Sequence, residues 1–145
     1  MNDLEKYIRY RDSLLFGGEI IDWTFTSSPK WFSGIMFDSL FELLMLNKHR
    51  RVDCLDVRQN DSPTVGDFLN FLGGNEEFTA HGYAQKPGGD RDIVIEGLEY
   101  IIKDGEYRQD LEDNLERWCY LTRKREWKAP DKFISNNEKI FCWWD

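Results

Sequence analysis

The chain has 145 residues, of which 27 are acidic and 19 are basic, so its net charge is −8. Its hydrophobic content of 41% is too high for a disordered chain. Its densest apolar run, 40–46, is much shorter than the roughly 18 residues that a membrane-spanning helix needs. We therefore expect one globular domain, 1–145, with a single core.

The acidic residues are concentrated in the middle of the sequence. Residues 60–116 contain 14 acidic and 4 basic side chains, whereas the flanking segments are close to balance or weakly basic. A negative field of this kind repels nucleic acid and anionic membranes and attracts basic surfaces. The charge pattern predicts a basic protein partner, with no nucleic acid and no membrane among the partners.

The cysteines and the N-terminus bear on location. Cys54, Cys119 and Cys142 are odd in number and widely spaced, as expected for reduced thiols. The first residues lack the basic start and apolar block of a secretory signal. Both features predict a cytoplasmic protein.

The first half of the chain predicts three helices and one strand. Apolar residues at helical spacing indicate helices over 2–16 and 35–48, and a β-branched and aromatic run between them indicates a strand over 19–25. The third helix is predicted over 63–72, with Ser62 as its N-cap and Pro63 at its first position.

The second half predicts a hairpin, a long helix and a last strand. Alternating segments over 78–85 and 92–102 flank a turn sequence and indicate an antiparallel pair, in which Gly97 predicts a bulge. A helix is expected over 107–127 and a strand over 139–145. The whole pattern predicts an α+β fold, with an antiparallel sheet of about four strands packed against three to four helices.

The sequence contains no motif for a metal, a cofactor or nucleophilic catalysis. It has two histidines, no Cys-x-x-Cys or His-x-x-x-His pair, no phosphate-binding glycine pattern and no Gly-x-Ser-x-Gly. We expect no cofactor and no metal, and an enzymatic function is less expected than a binding function.

The first functional hypothesis is a protein-binding domain that covers a basic partner surface. Small size, acidity and the absence of catalytic motifs are typical of proteins that neutralise toxic enzymes, such as bacterial immunity proteins, so the partner could be a toxin or a nuclease. Carboxylates would then stand in for nucleic-acid phosphates, and an exposed tryptophan would act as a hot spot. The candidate partner-binding residues are Asp90, Asp92, Glu96, Glu99, Asp110, Glu112, Asp113 and Trp143.

Two other hypotheses remain open. A small enzyme or ligand-binding domain would use a cleft near His81, Tyr83, Glu96 and Glu99, with His81 as the acid–base group. A self-associating domain would pair its exposed aromatic residues with a second copy, giving a homo-oligomer.

Overall fold

The fold is that of a computed structural model, which describes residues 3–19, 21–23, 28–47, 54–86, 92–103, 105–121 and 127–145. Within these residues it has four α-helices and one five-stranded antiparallel sheet, so the predicted α+β class is confirmed. The helices are α1 (Asp3–Leu15), α2 (Phe37–Asn47), α3 (Val65–Gly74) and α4 (Gln109–Glu116). The strands are β1 (Lys30–Ile35), β2 (Thr79–Ala84), β3 (Ile93–Ile101), β4 (Lys132–Ser135) and β5 (Lys139–Trp143).

The strands lie in the order β1-β2-β3-β5-β4, so the predicted β2–β3 hairpin forms the centre of the sheet. The predicted strand over 139–145 pairs with β3 and also with β4, which the sequence did not indicate. Among the described residues, no helix is both long and apolar enough to cross a bilayer.

The prediction of a strand over 19–25 is wrong for the residues of this segment that the structure describes. Its described residues, 19 and 21–23, are not in a strand, and the edge strand β1 begins at Lys30 instead. Trp23 explains the difference, because its indole Nε1 donates a 2.7 Å hydrogen bond to Asp12 and its ring lies 5.1 Å from the Arg11 guanidinium. Those contacts hold this segment against α1 rather than in the sheet.

Two helix boundaries also differ from the prediction. The N-cap of α3 is Thr64, not Ser62: Thr64 and Asp67 form a reciprocal capping box, with hydrogen bonds of 3.1 and 2.9 Å. The helix predicted over 107–127 has its α-helical part at Gln109–Glu116 and continues as a π-helical turn, Arg117–Leu121. Residues 122–126 lie outside the described part of the chain.

The core lies on one face of the sheet. Successive side chains of a strand point to opposite faces, and the buried strand residues of the core cluster alternate accordingly, as Ile140 and Cys142 show in β5 and Trp144 directly after it. Buried residues of all four helices, such as Leu43 and Phe68, belong to the same cluster. The other sheet face, which we call the second face, therefore points away from the helical layer.

An aromatic and carboxylate cavity on the second face

The second face carries a group of aromatic side chains that the core does not use. Trp31 in β1 is 61% exposed, and Phe141 and Trp143 in β5 are half-buried. Trp144, next to Trp143, is fully buried and packs edge-on against Phe68, with ring centroids 5.5 Å apart. The strand period thus sends one of the two adjacent tryptophans into the core and the other to the second face.

A carboxylate of β3 lies within this aromatic group, next to a bulge in the strand. Gly82 pairs with Ile95 and Ala80 pairs with Leu98, so two residues of β3 lie between core-facing positions where a regular strand has one. The two residues are Glu96 and Gly97. Glu96 follows the core-facing Ile95 and points to the second face by ordinary alternation, and the extra residue places Gly97 beside it and returns Leu98 to the core. The bulge predicted from Gly97 is therefore confirmed.

These side chains line a cavity of about 600 Å³. Its aromatic lining consists of Trp31, Tyr83, Phe141 and Trp143. Its polar lining includes His81, Glu96, Asp145 and the amide side chains of Gln59, Asn60 and Gln85. A concave surface with aromatic walls and a few convergent polar groups has the general character of a binding site.

Glu96 is the central polar group of the cavity. The residue is only 6% exposed, and its carboxylate accepts a 3.0 Å hydrogen bond from the Trp31 indole Nε1. The Trp143 side chain lies close enough to this carboxylate to lower its pKa. Burial raises the pKa of Glu96 above its usual range, the neighbouring side chains of Trp31 and Trp143 oppose that rise, and the nearby charge of Asp145 adds to it.

His81 forms part of the floor of the cavity. Its ring stacks on Phe141, with centroids 4.8 Å apart and planes 7° apart, and its Nε2 lies 3.1 Å from the carbonyl oxygen of Cys142. Burial lowers the pKa of His81 to about 4; the hydrogen bond to Cys142 opposes this shift, and the charge of Lys139 adds to it. The imidazole is therefore neutral near pH 7.

Gly97 makes room for His81. A Cβ atom at position 97 would lie 2.6 Å from the His81 ring and would overlap the carbonyl oxygen of Cys142. Without it, the imidazole crosses β3 at the Gly97 position and reaches β5. A side chain at position 97 would displace His81 and fill the cavity floor.

The structure brings together only some of the residues that the sequence suggested. Glu96 and Trp143, from the protein-binding hypothesis, line the same cavity as His81 and Tyr83, from the cleft hypothesis. Glu99 lies on the same face but outside the cavity lining, and its carboxylate is 4.0 Å from Lys139 Nζ. Sequence analysis did not single out Trp31, Phe141 or Asp145 as site residues.

Asp92 belongs to the interior rather than to the second face. It is 3% exposed, and its carboxylate forms an ion pair with the fully buried Arg11. The Tyr7 hydroxyl donates a 2.6 Å hydrogen bond to the same carboxylate. This buried cluster joins α1 to the start of β3 and leaves Asp92 little surface that a partner could contact. Asp90 lies outside the described residues.

The three acidic candidates of α4 form a separate exposed group. Asp110 forms a 2.9 Å ion pair with Arg108, Glu112 accepts a hydrogen bond from the Tyr107 hydroxyl, and Asp113 accepts one of 2.8 Å from Gln109. The charge and hydrogen bonds of Arg108 lower the pKa of Asp110, and the Tyr107 hydroxyl lowers that of Glu112. None of the three lines the cavity, so the acidic candidates that the structure describes do not form a single patch.

Neither the arrangement of the described metal-ligating side chains nor a comparison with known proteins indicates a function. Within the described ranges, no group of three or more His, Cys, Asp or Glu side chains is arranged to hold a metal ion. No family model, curated protein or solved structure matches the chain. Its function has to be argued from the cavity and its surroundings.

Proposed function

We propose that the chain is a protein-binding domain that covers a basic surface of its partner with the second face of its sheet. The observation that carries this proposal is the cavity in which Trp31 and Trp143 surround the recessed carboxylate of Glu96. Exposed tryptophans around a desolvated polar group are typical of interface hot spots. The net charge of −8 favours a basic partner and speeds its association.

The kind of partner follows from the charge and from the lack of a recognisable catalytic motif in the sequence. A domain that blocks a basic surface suits an inhibitor of immunity type, whose target is a basic toxin or nuclease. The three cysteines are buried free thiols, which supports a reducing compartment and hence the cytoplasm.

The state of His81 weighs against the enzyme hypothesis. A general acid or base works best with a pKa near the operating pH, whereas the pKa of His81 is lowered to about 4. Its Nε2 lies against the Cys142 carbonyl, and its ring is stacked on Phe141. These contacts suit a histidine that shapes the cavity floor better than one that transfers protons.

The test is capture of the partner by the tagged protein from lysate of the native host, with two pairs of matched variants. Trp31→Ala removes the exposed ring of the second face, and Phe41→Ala removes an exposed ring from α2. Asp145→Lys and Asp113→Lys make the same change of charge at the cavity and on α4. Circular dichroism verifies that each variant is folded.

We expect a basic protein that binds the wild type and is lost at high salt. Trp31→Ala and Asp145→Lys should weaken its binding by about tenfold or more, as expected for a hot spot, and the two controls should bind as the wild type does. Loss of binding in Asp113→Lys alone would assign the interface to α4 and overturn the proposal. Equal binding by all four variants would also overturn it.

A further inference from the structure

We infer that the cavity on the second face receives an arginine side chain of the partner and selects it over lysine. This inference rests on the proposed function and gives the partner's chemistry at one position. It comes from three features of the cavity: the orientation of the Trp31 indole, the acceptor positions of Glu96, and a second carboxylate at Asp145.

The orientation of Trp31 favours a planar cation. Its Nε1–H edge points at the Glu96 carboxylate, and the side chain is 61% exposed. A guanidinium stacked on this ring would lie parallel to it, so that its own N–H edge would point toward the same carboxylate. Arginine stacks on aromatic faces and donates in its plane, whereas the lysine ammonium has no plane to stack.

Glu96 has acceptor positions left for such a group. An ionised carboxylate offers about four lone-pair positions; the Trp31 indole takes one of them, and the Trp143 side chain, which lowers the pKa of Glu96, lies close enough to take a second. Two N–H groups of a guanidinium match the remaining pair, and hydrogen bonds of this charge-assisted, two-pronged kind are among the strongest in proteins.

The electrostatics of the cavity also favour a cation. Asp145 lies close enough for its charge to oppose ionisation of Glu96, so a bound cation would relieve the repulsion between two carboxylates. Aromatic rings on this face already attract cations of the chain itself. Lys132 Nζ lies 5.5 Å from the centroid of the Trp143 ring, and Lys139 Nζ lies 4.8 Å from that of Phe141.

The experiment titrates the whole ¹⁵N-labelled protein with three capped tripeptides, Gly-Arg-Gly, Gly-Lys-Gly and Gly-citrulline-Gly, while the indole N–H signals are followed by NMR. Citrulline has nearly the shape of arginine but no charge. Trp31→Phe and Trp143→Phe assign the two signals. We expect the arginine peptide to shift both signals and to bind about tenfold more tightly than the lysine peptide, since one charge-assisted hydrogen bond accounts for such a ratio. The citrulline peptide should not bind.

Glu96→Gln and its matched control, Glu99→Gln, complete the test. Glu96→Gln should abolish the shifts caused by the arginine peptide, while Glu99→Gln, on the same strand but outside the cavity, should leave them unchanged. If Glu96→Gln does not fold, Asp145→Asn, at an exposed position, should weaken arginine binding instead.

Three results would overturn the inference: equal binding of the arginine and lysine peptides, binding of the citrulline peptide, or full binding by folded Glu96→Gln or, where that variant does not fold, by Asp145→Asn. If no peptide binds although partner capture still depends on Trp31 and Asp145, the arginine inference is wrong and the proposed function stands. If partner capture does not depend on them, the proposed function fails independently of the peptide result.

Discussion

Trp31 and Glu96 are joined by a 3.0 Å hydrogen bond although their strands, β1 and β3, are separated by β2. The bond therefore spans the width of one strand on the second face. It requires a register of β3 that places Glu96 on this face, and an edge strand that places Trp31 opposite Tyr83. The cavity between the two tryptophans thus depends on the register of four strands, β1, β2, β3 and β5.

Glu96→Gln should remove a pH-dependent contribution to stability. Because burial raises the pKa of Glu96 in the folded state, the folded protein binds a proton here more readily than the unfolded chain does. This contribution increases stability as pH falls through the folded pKa toward the ordinary glutamate value, and it is lost as pH rises. Urea unfolding at several pH values should show that the variant lacks this gain and is at least as stable as the wild type near pH 7. A variant clearly less stable at pH 7 would contradict the prediction.

His81→Gln should remove a pH dependence of the opposite sign. The folded pKa of His81 is about 4 and the ordinary value is 6.5, so between these values the unfolded chain binds the proton and the folded protein does not. The stability of the wild type should therefore fall as pH falls from about 6.5 to about 4. The loss is at most about 3 kcal/mol, and solvent that reaches the ring makes it smaller. The amide of glutamine retains a hydrogen-bond donor. Equal slopes for variant and wild type over this range of pH would disprove the assignment.

Arg11→Met should destabilise the protein strongly. Arg11 is fully buried between Asp12 and Asp92, and its Nη1 also donates a 3.0 Å hydrogen bond to the carbonyl oxygen of Gln85. Its removal leaves two buried carboxylates without their cation, which costs about 3–5 kcal/mol in comparable sites. The matched control is Arg108→Met, which breaks exposed ion pairs and should change the free energy of unfolding little. A similar loss in free energy of unfolding in the two variants would contradict the prediction that the buried ion pairs of Arg11 contribute more to stability than the exposed pairs of Arg108.

Gly97→Ala should disturb both stability and the cavity. Its added Cβ would lie 2.6 Å from the His81 ring and would overlap the Cys142 carbonyl oxygen, so β3, β5 or the imidazole must move. We expect a loss of about 1–3 kcal/mol, as for other overpacked sites, together with shifted NMR signals of His81 and Trp143. Gly74→Ala is the control, since a Cβ there meets no atom within 4 Å. An unchanged His81 signal in Gly97→Ala would contradict the close approach.

The sequence by itself determined the α+β class, most of the helices and the central hairpin. Apolar periodicity is local information, and long segments such as 35–48 or 92–102 contain enough of it to identify the element. A strand over 139–145 also places Trp143 and Trp144 on opposite faces, because adjacent residues of a strand alternate. The bulge was predictable from Gly97, since a glycine inside a strand often marks one.

Only the tertiary structure decided where the edge strand lies and which residues meet on the second face. The segment of β1 is short and contains Gly34, which has a φ of 73° and interrupts the run of strand-forming residues. The segment around Trp23 has a stronger strand pattern, but contacts of Trp23 with Asp12 and Arg11 keep it out of the sheet. Trp31, Glu96 and Trp143 are far apart in sequence, and their meeting depends on strand order and register, which local pattern does not encode. For the same reason, composition alone could not show that the acidic residues divide among a buried ion pair, an exposed helix and one cavity.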